Sequence, residues 1–177
     1  MCKRFIPYAH AKNLYEIDID FFVFLGAKYL FLDLDNTLDS YRSMVPNETT
    51  INYINNLKDK GITPIILSNN RGERVRGYSE KLGVECKHSV GKPFSVNVKK
   101  LLKQRGIDKN EVIMVGDQMI TDVCCGNGAK IKVILTDKLV KEDQITTRFN
   151  RFFERPFRSY CMKHGKLIDW RIRYGKS

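Results

Sequence analysis

Predominantly apolar runs recur along the chain at 29–34, 62–67, 112–115 and 131–135, with a weaker one at 84–86. Between them the apolar positions take on a helical period. One such stretch covers 47–60, with Ile51, Ile54 and Leu57 on one face and Gly61 as its stop; others cover 72–82 before Gly83 and 94–105 before Gly106. Strands that are apolar throughout, each followed by a helix, predict the α/β class: a three-layer, Rossmann-like parallel sheet with helices on both faces. We expect 28–137 to form this domain, 1–27 to be an N-terminal extension packed on it, and 138–177 to be a basic, aromatic C-terminal tail. No internal repeat or low-complexity linker interrupts the pattern.

Sheets of this kind bind ligands beyond the carboxyl ends of their strands. The first strand leads into Asp33, Asp35 and Thr37, and the second into Ser68, Asn69 and Asn70. The run at 112–115 leads into Gly116, Asp117, Thr121 and Asp122, while Lys92 precedes the helical stretch at 94–105. Asp33 and Asp35, two residues apart on an extended segment, point to the same side of it. Carboxylates gathered on one edge repel each other, and a divalent cation among them resolves the conflict.

Such a rim suits hydrolysis of a phosphate monoester, which needs an in-line nucleophile, neutralised phosphoryl oxygens and a proton for the leaving oxygen. Asp33 is placed to attack and form an aspartyl-phosphate. Asp35 could protonate the leaving group and then deprotonate the attacking water. Ser68, Asn69 and Lys92 are candidates to hold the phosphoryl oxygens. Asp117 would complete a Mg²⁺ shell with Asp33. Taken singly, these residues have ordinary explanations: a solvated turn for 33–37, a helix cap for Ser68 and Asn69, surface charge for Lys92, a helix N-terminus for Asp122. Their arrival in order at successive strand ends carries the functional reading.

The same residues resemble the haloacid dehalogenase (HAD) superfamily of aspartate-nucleophile phosphatases. The first motif of that family is met by Asp33-Leu34-Asp35-Asn36-Thr37, the second by Ser68 after an apolar strand, the third by Lys92, and the fourth by Asp117 with Asp122. Longer strings narrow the likeness. Asp-Leu-Asp-Asn-Thr-Leu, Leu-Ser-Asn-Asn, Gly-Lys-Pro, Gly-Asp-Gln-x-x-Thr-Asp-Val and Thr147-Arg148-Phe149-Asn150-Arg151 resemble the YqeG family of class IIIA HAD phosphatases, over roughly 14–154. The resemblance implies an HAD-like fold and a metal shell of Asp33, Asp35 (through its backbone carbonyl) and Asp117. It also implies supporting roles for Thr37 and for Asp122, the latter near the metal or orienting Lys92. By kinship with mitochondrial-type phosphatases, the implied substrate is phosphatidylglycerophosphate or a similar anionic phospholipid. The gaps 38–68 and 68–92 are too short for a lid, since domains seldom fall below ~50 residues, so no cap domain is expected.

Charge adds a further constraint. The net charge is +11, and from Lys138 to Ser177 eleven Lys/Arg face four Asp/Glu, so this segment holds +7 of it. Such a surface favours anionic lipid, phosphorylated substrates or nucleic acid. Arg148, Arg151, Arg155 and Arg158 recur at helical spacing, with Phe149, Phe153, Phe157 and Tyr160 on another face, a pattern compatible with peripheral membrane contact or with packing on the core. Pro156 is expected to break or kink the helix near Arg155. The longest apolar run, 21–27, is too short to span a bilayer, and no signal peptide is read at the N-terminus. Five cysteines without a disulfide or zinc spacing point to the cytosol, with Cys124 and Cys125 as packing residues. Two rival readings stay open: a phosphatase of soluble nucleotides, sugar phosphates or nucleic-acid ends, and a basic RNA- or ribonucleoprotein-binding protein with an incidental phosphatase site.

Overall fold

The structure, a computed structural model, describes residues 3–70, 72–140 and 145–176, apart from the side chains of 145–150. Its frame is one six-stranded sheet in the order β1-β6-β5-β2-β3-β4, parallel throughout. The strands are β1 (Ala9–Ala11), β2 (Tyr29–Leu32), β3 (Thr63–Leu67), β4 (Glu85–Lys87), β5 (Val112–Gly116) and β6 (Lys132–Thr136). Five of them fall on the runs expected from hydrophobicity. The sixth, β1, pairs Ala9 with Ile134 and Ala11 with Thr136, so the N-terminal residues supply an edge strand of the sheet.

Alternate side chains of the four inner strands β2, β3, β5 and β6 enter one of two cores. Leu30, Leu32, Ile66, Ile113, Val115 and Ile134 lie on one face. Phe31, Ile65, Leu67, Val112, Met114 and Val133 lie on the other. Burial on both faces explains why the strands read as continuous apolar runs. Helices α2 (Glu48–Asp59) and α3 (Glu73–Leu82) cover the first face through Tyr53, Ile54, Leu57, Val75 and Tyr78. Helix α4 (Val96–Arg105) covers the second through Val98, Leu101 and Leu102. Asn47 caps α2 by accepting a hydrogen bond from Thr50 N at 2.9 Å. Gly83 and Gly106 end α3 and α4 in the left-handed region, at φ of 62° and 63°.

The termini pack on each other. Helix α1 (Ile19–Phe24) buries Phe21 against Trp170 of the short helix α7 (Trp170–Tyr174), with ring centroids 5.5 Å apart. Helix α5 (Cys124–Ala129) follows a π-helical turn, Met119–Val123, at the end of β5. Helix α6 runs without interruption over Ile145–Lys163 with Pro156 inside it, against the expected break near Arg155. Pro156 and Phe152, four residues earlier, are both exposed. The carbonyl that loses its partner is therefore on the solvent side, where the loss costs least. Phe157 stacks on Phe5 at 4.4 Å, and with Tyr160 it packs against the second core, whereas Phe152 and Phe153 are exposed. The side chains of Thr147, Arg148, Phe149 and Asn150 lie outside the described residues.

Candidate active site

Strands β2, β3 and β5 all end on the same edge, and the turns that leave them carry the polar groups. Leu38 N and Asp39 N both bond Leu34 O at 3.1 Å, and Asn36 takes a left-handed φ of 63°. This tight loop turns Asp33 and Asp35 away from the sheet. Asp33, Ser68, Lys92, Asp117 and Asp122 are all buried there. Atoms of Asp33, Asp117 and Asp122 lie within 4.8 Å of one another, a grouping that could hold a metal ion.

Lys92 organises the cluster. Its ammonium donates to Asp33 Oδ1 at 2.5 Å, Asp122 Oδ1 at 2.7 Å and Leu67 O at 2.9 Å. Those three bonds use all three of its donors. The backbone of Lys92 is clipped in turn by Asn69, which accepts from Lys92 N and donates to Lys92 O, both at 2.8 Å. Asn69, a candidate phosphate binder by sequence, thus uses its carbonyl and one of its two amide hydrogens to position Lys92. The second oxygen of Asp122 accepts from Gln118 N at 3.1 Å and Thr121 Oγ1 at 3.4 Å. Gly116 is required here, because a Cβ would stand 2.3 Å from Asp122 Cγ. Ser68 Oγ accepts from Asn70 N at 3.1 Å, which leaves its own hydrogen to donate. Thr37 Oγ1 is buried without a hydrogen-bond partner.

The carboxylate of Asp35 stands outside the three-carboxylate grouping. Arg74 Nη1 holds Asp35 Oδ1 at 2.7 Å and Asn70 Nδ2 holds Oδ2 at 2.7 Å. Arg74 also donates to Ser40 O and Ser43 O, at 3.0 and 3.1 Å, tying the loop after β2 to α3. Arg151 and Glu154 reach the site from α6. Arg151 Nη2 bonds Asp117 Oδ2, and Glu154 Oε1 accepts from Ile120 N at 2.8 Å. Sequence reasoning placed Asn70 at the rim without a role and read Arg151 only as part of the family string and of the basic tail, and it passed over Arg74 and Glu154. The one available signal was a lone acidic residue, Glu154, inside a basic stretch beside the Thr147–Arg151 string.

The electrostatics are those of charge held in a dry place. Burial pushes Asp33 well above the usual carboxylate range, with Lys92 opposing it. Burial likewise pushes Asp117 up to about 7, against the pull of Arg151. Burial pulls the Lys92 ammonium down, but Asp122 and Asp33 more than reverse this and its pKa is raised. A divalent cation fits this donor set. Asp117 Oδ1 is buried with no hydrogen-bond partner, and it belongs to a group of hard oxygen donors of the kind Mg²⁺ takes.

A parallel sheet with an aspartate-rich rim, a lysine bridging two of its carboxylates and no lid among the described residues defines an HAD-like hydrolase. The HAD-hydrolase-like family profile matches residues 89–149. The chain is 31% identical over 168 residues to "Probable phosphatase YqeG" of Bacillus subtilis (strain 168), covering 95% of this chain and 97% of that protein. It belongs to the YqeG family of HAD phosphatases. A weaker likeness, 26% over 151 residues, links it to the chloroplastic/mitochondrial phosphatidylglycerophosphate phosphatase 1 of Arabidopsis thaliana, over 78% of this chain and 42% of that one. Among solved structures, an uncharacterized protein from Listeria monocytogenes serotype 4b shares the fold at a TM-score of 0.52 and 17% identity, covering 67% of this chain and 86% of that one.

Proposed function

We propose that this phosphatase is a Mg²⁺-dependent phosphomonoesterase that works through an aspartyl-phosphate on Asp33, and that its substrate is phosphatidylglycerophosphate or a similar anionic phospholipid. The observation that carries the chemistry is the bridge from Lys92 to both Asp33 and Asp122, beside the unpartnered oxygen of Asp117. Lys92 fixes Asp33 in place and opposes the burial that disfavours its charged form. An oxygen of Asp33 attacks phosphorus as the bond to the leaving oxygen breaks, and Asp35 gives that oxygen its proton. Asp35 then takes a proton from water, which attacks phosphorus and breaks its bond to Asp33, releasing inorganic phosphate and restoring the carboxylate. For this Asp35 must turn from Arg74 toward the leaving oxygen. Bound by Asp33 and Asp117, with the Asp35 carbonyl, Mg²⁺ would supply the charge that offsets the phosphoryl oxygens.

Two features favour a lipid. Neither the segment between β2 and α2 nor that between β3 and β4 holds a lid domain among the described residues, which would let a bulky headgroup approach. Large apolar side chains are exposed within a few residues of site residues: Met44 and Val45 after the loop held by Arg74, Phe94 and Val96 after Lys92, Phe152 and Phe153 after Arg151. No helix among the described residues is long and apolar enough to cross a membrane, so such contact would be peripheral, with each cation near an anionic surface contributing about 1 kcal/mol.

The test is phosphate release with Mg²⁺ from phosphatidylglycerophosphate in mixed micelles, set beside soluble nucleotide, sugar and nucleic-acid phosphates. Lipid turnover well above the soluble esters is expected, and Asp33→Asn should abolish all of it. Retained activity in that variant would exclude Asp33 as nucleophile. A preference for soluble esters would remove the lipid assignment alone.

A further inference from the structure

We infer that Glu154 is a positioning residue for the Mg²⁺ site: from α6 it caps the turn that joins Asp117 to Asp122. The inference rests on the phosphatase reading above. Glu154, Phe157 and Cys161 fall at spacings of three and four along α6 and so share one face of it. Cys161 is fully buried, Phe157 packs against the second core, and Glu154 is 3% exposed. A helix stripe that faces a core is normally apolar. A buried carboxylate there is destabilising unless hydrogen bonds offset its desolvation. Burial itself and the neighbouring charges of Asp117 and Asp122 disfavour the ionised form of this one. Packing therefore gives no reason for an acid at this position.

The bond it makes does. Glu154 Oε1 accepts from Ile120 N at 2.8 Å. Ile120 lies in the π-helical turn Met119–Val123, three residues after Asp117 and two before Asp122. The first N–H groups of a helical segment have no acceptor within it, and the residue in the N-cap position of this turn makes no side-chain capping bond. Glu154 supplies an acceptor from another helix. The turn is otherwise closed on itself: Asp122 Oδ2 accepts from Gln118 N, and Asp122 N and Val123 N both donate to Gln118 O. A tether at Ile120 thus holds the two flanking carboxylates as one unit against Asp33, with which they form a grouping within 4.8 Å. The tether is firm because α6 is anchored further along, by the stack of Phe157 on Phe5 and the ion pair of Arg158 with Asp137. Mg²⁺ demands near-ideal octahedral geometry, so its affinity depends on groups that orient its ligands without touching it.

The experiment uses the full chain and measures Mg²⁺ affinity by calorimetric titration well below Tm, with no substrate present. Glu154→Asp keeps the charge but shortens the arm, whereas Glu154→Gln keeps the arm and an acceptor oxygen but drops the charge. Glu154→Asp should bind Mg²⁺ about 10-fold to 100-fold more weakly, and Glu154→Gln should stay close to the parent. Leu101→Ala, a cavity in the second core, should lower Tm and leave Mg²⁺ affinity unchanged. Unchanged affinity in Glu154→Asp would overturn the proposal. So would an equal loss in Glu154→Gln, which would assign the effect to charge, or in Leu101→Ala, which would assign it to stability. Should Glu154→Asp fail to fold, amide exchange at Ile120 decides. Slow exchange is expected in the parent and in Glu154→Gln, and fast exchange in either overturns the proposal. Asp117→Asn separates the two levels. Mg²⁺ binding lost there, with Glu154→Asp binding normally, sinks this proposal alone; Mg²⁺ binding retained there sinks the metal reading beneath it.

Discussion

Replacing Lys92 with methionine removes one charge and leaves two carboxylates stranded. The Lys92 side chain is 2% exposed, and its partners Asp33 and Asp122 are nearly as enclosed. Breaking a buried ion pair by deleting one partner costs about 3–5 kcal/mol, because the surviving charge stays buried without compensation. Methionine approximates the lysine stem in volume, so little of the cost comes from a cavity. In a chain of this size each kcal/mol moves Tm by about 2–4 °C, so Lys92→Met should melt roughly 6–20 °C below the parent.

The assay is thermal denaturation followed by circular dichroism in EDTA, with Asp33→Asn as the control. Asparagine keeps the shape of Asp33 but removes a charge that burial disfavours. That variant should melt at least as high as the parent while losing its activity. Opposite stability effects at the two ends of one 2.5 Å contact would identify the lysine as the element that makes a charged rim compatible with folding. A Lys92→Met protein melting within about 2 °C of the parent would refute the reasoning.

Mg²⁺ should raise Tm and EDTA reverse it, since a ligand at 100 times its Kd adds about 2.7 kcal/mol. Asp117→Asn should abolish that shift; a shift that survives would place the cation elsewhere. Glu154 gives a pH signature. Burial chiefly raises its pKa from 4.5 to about 7, against the hydrogen bond from Ile120 N and the attraction of Arg151. The folded state therefore binds the proton more tightly than the unfolded chain, and stability falls as pH rises through that window, by about 3 kcal/mol in all. Glu154→Gln should lessen the slope of the Tm profile between those pH values, to which Asp33 and Asp117, also raised by burial, still contribute, and an unchanged slope would count against it.

Much of the frame was legible because the information is local. The strands β2, β3, β5 and β6 are buried on both faces and so read as apolar runs, and α2, α3 and α4 carry one apolar face each with a glycine at the end. The carboxylates were legible because the turns leaving parallel strands come out on one edge. Edge strand β1 was not, since the three residues Ala9–Ala11 carry no period and exist by virtue of their pairing with β6. The tail misled for a related reason. Arg151 and Glu154 look like members of a solvated basic helix, and only the docking of α6, set by contacts as distant in sequence as Phe157 on Phe5, turns them inward. Asn69 stands at the end of β3, where its place in the sequence predicts a rim residue, and its carbonyl and one amide hydrogen go to Lys92, a pairing no local pattern announces.

The division between the two groups of residues has a functional consequence. Asp33, Lys92 and Asp122 are locked to one another and to the backbone, so they can fix the geometry of phosphoryl transfer but have little freedom to distinguish one ester from another. A site without a lid must discriminate with its walls. The segments that adjoin the site are the loop tied down by Arg74, the turn after Lys92 that exposes Phe94, and α6, which bonds Asp117 through Arg151 and exposes Phe152 and Phe153. All three carry exposed apolar side chains within a few residues in sequence of a site residue, and the proposed lipid substrate would draw on them. Selectivity in this phosphatase should therefore follow substitutions in α6 far more closely than substitutions in the motif strings. Exchanging Phe152 and Phe153 for serine should lower turnover on phosphatidylglycerophosphate micelles while sparing a soluble ester, and an equal loss on both would show that α6 supports the site without selecting its substrate.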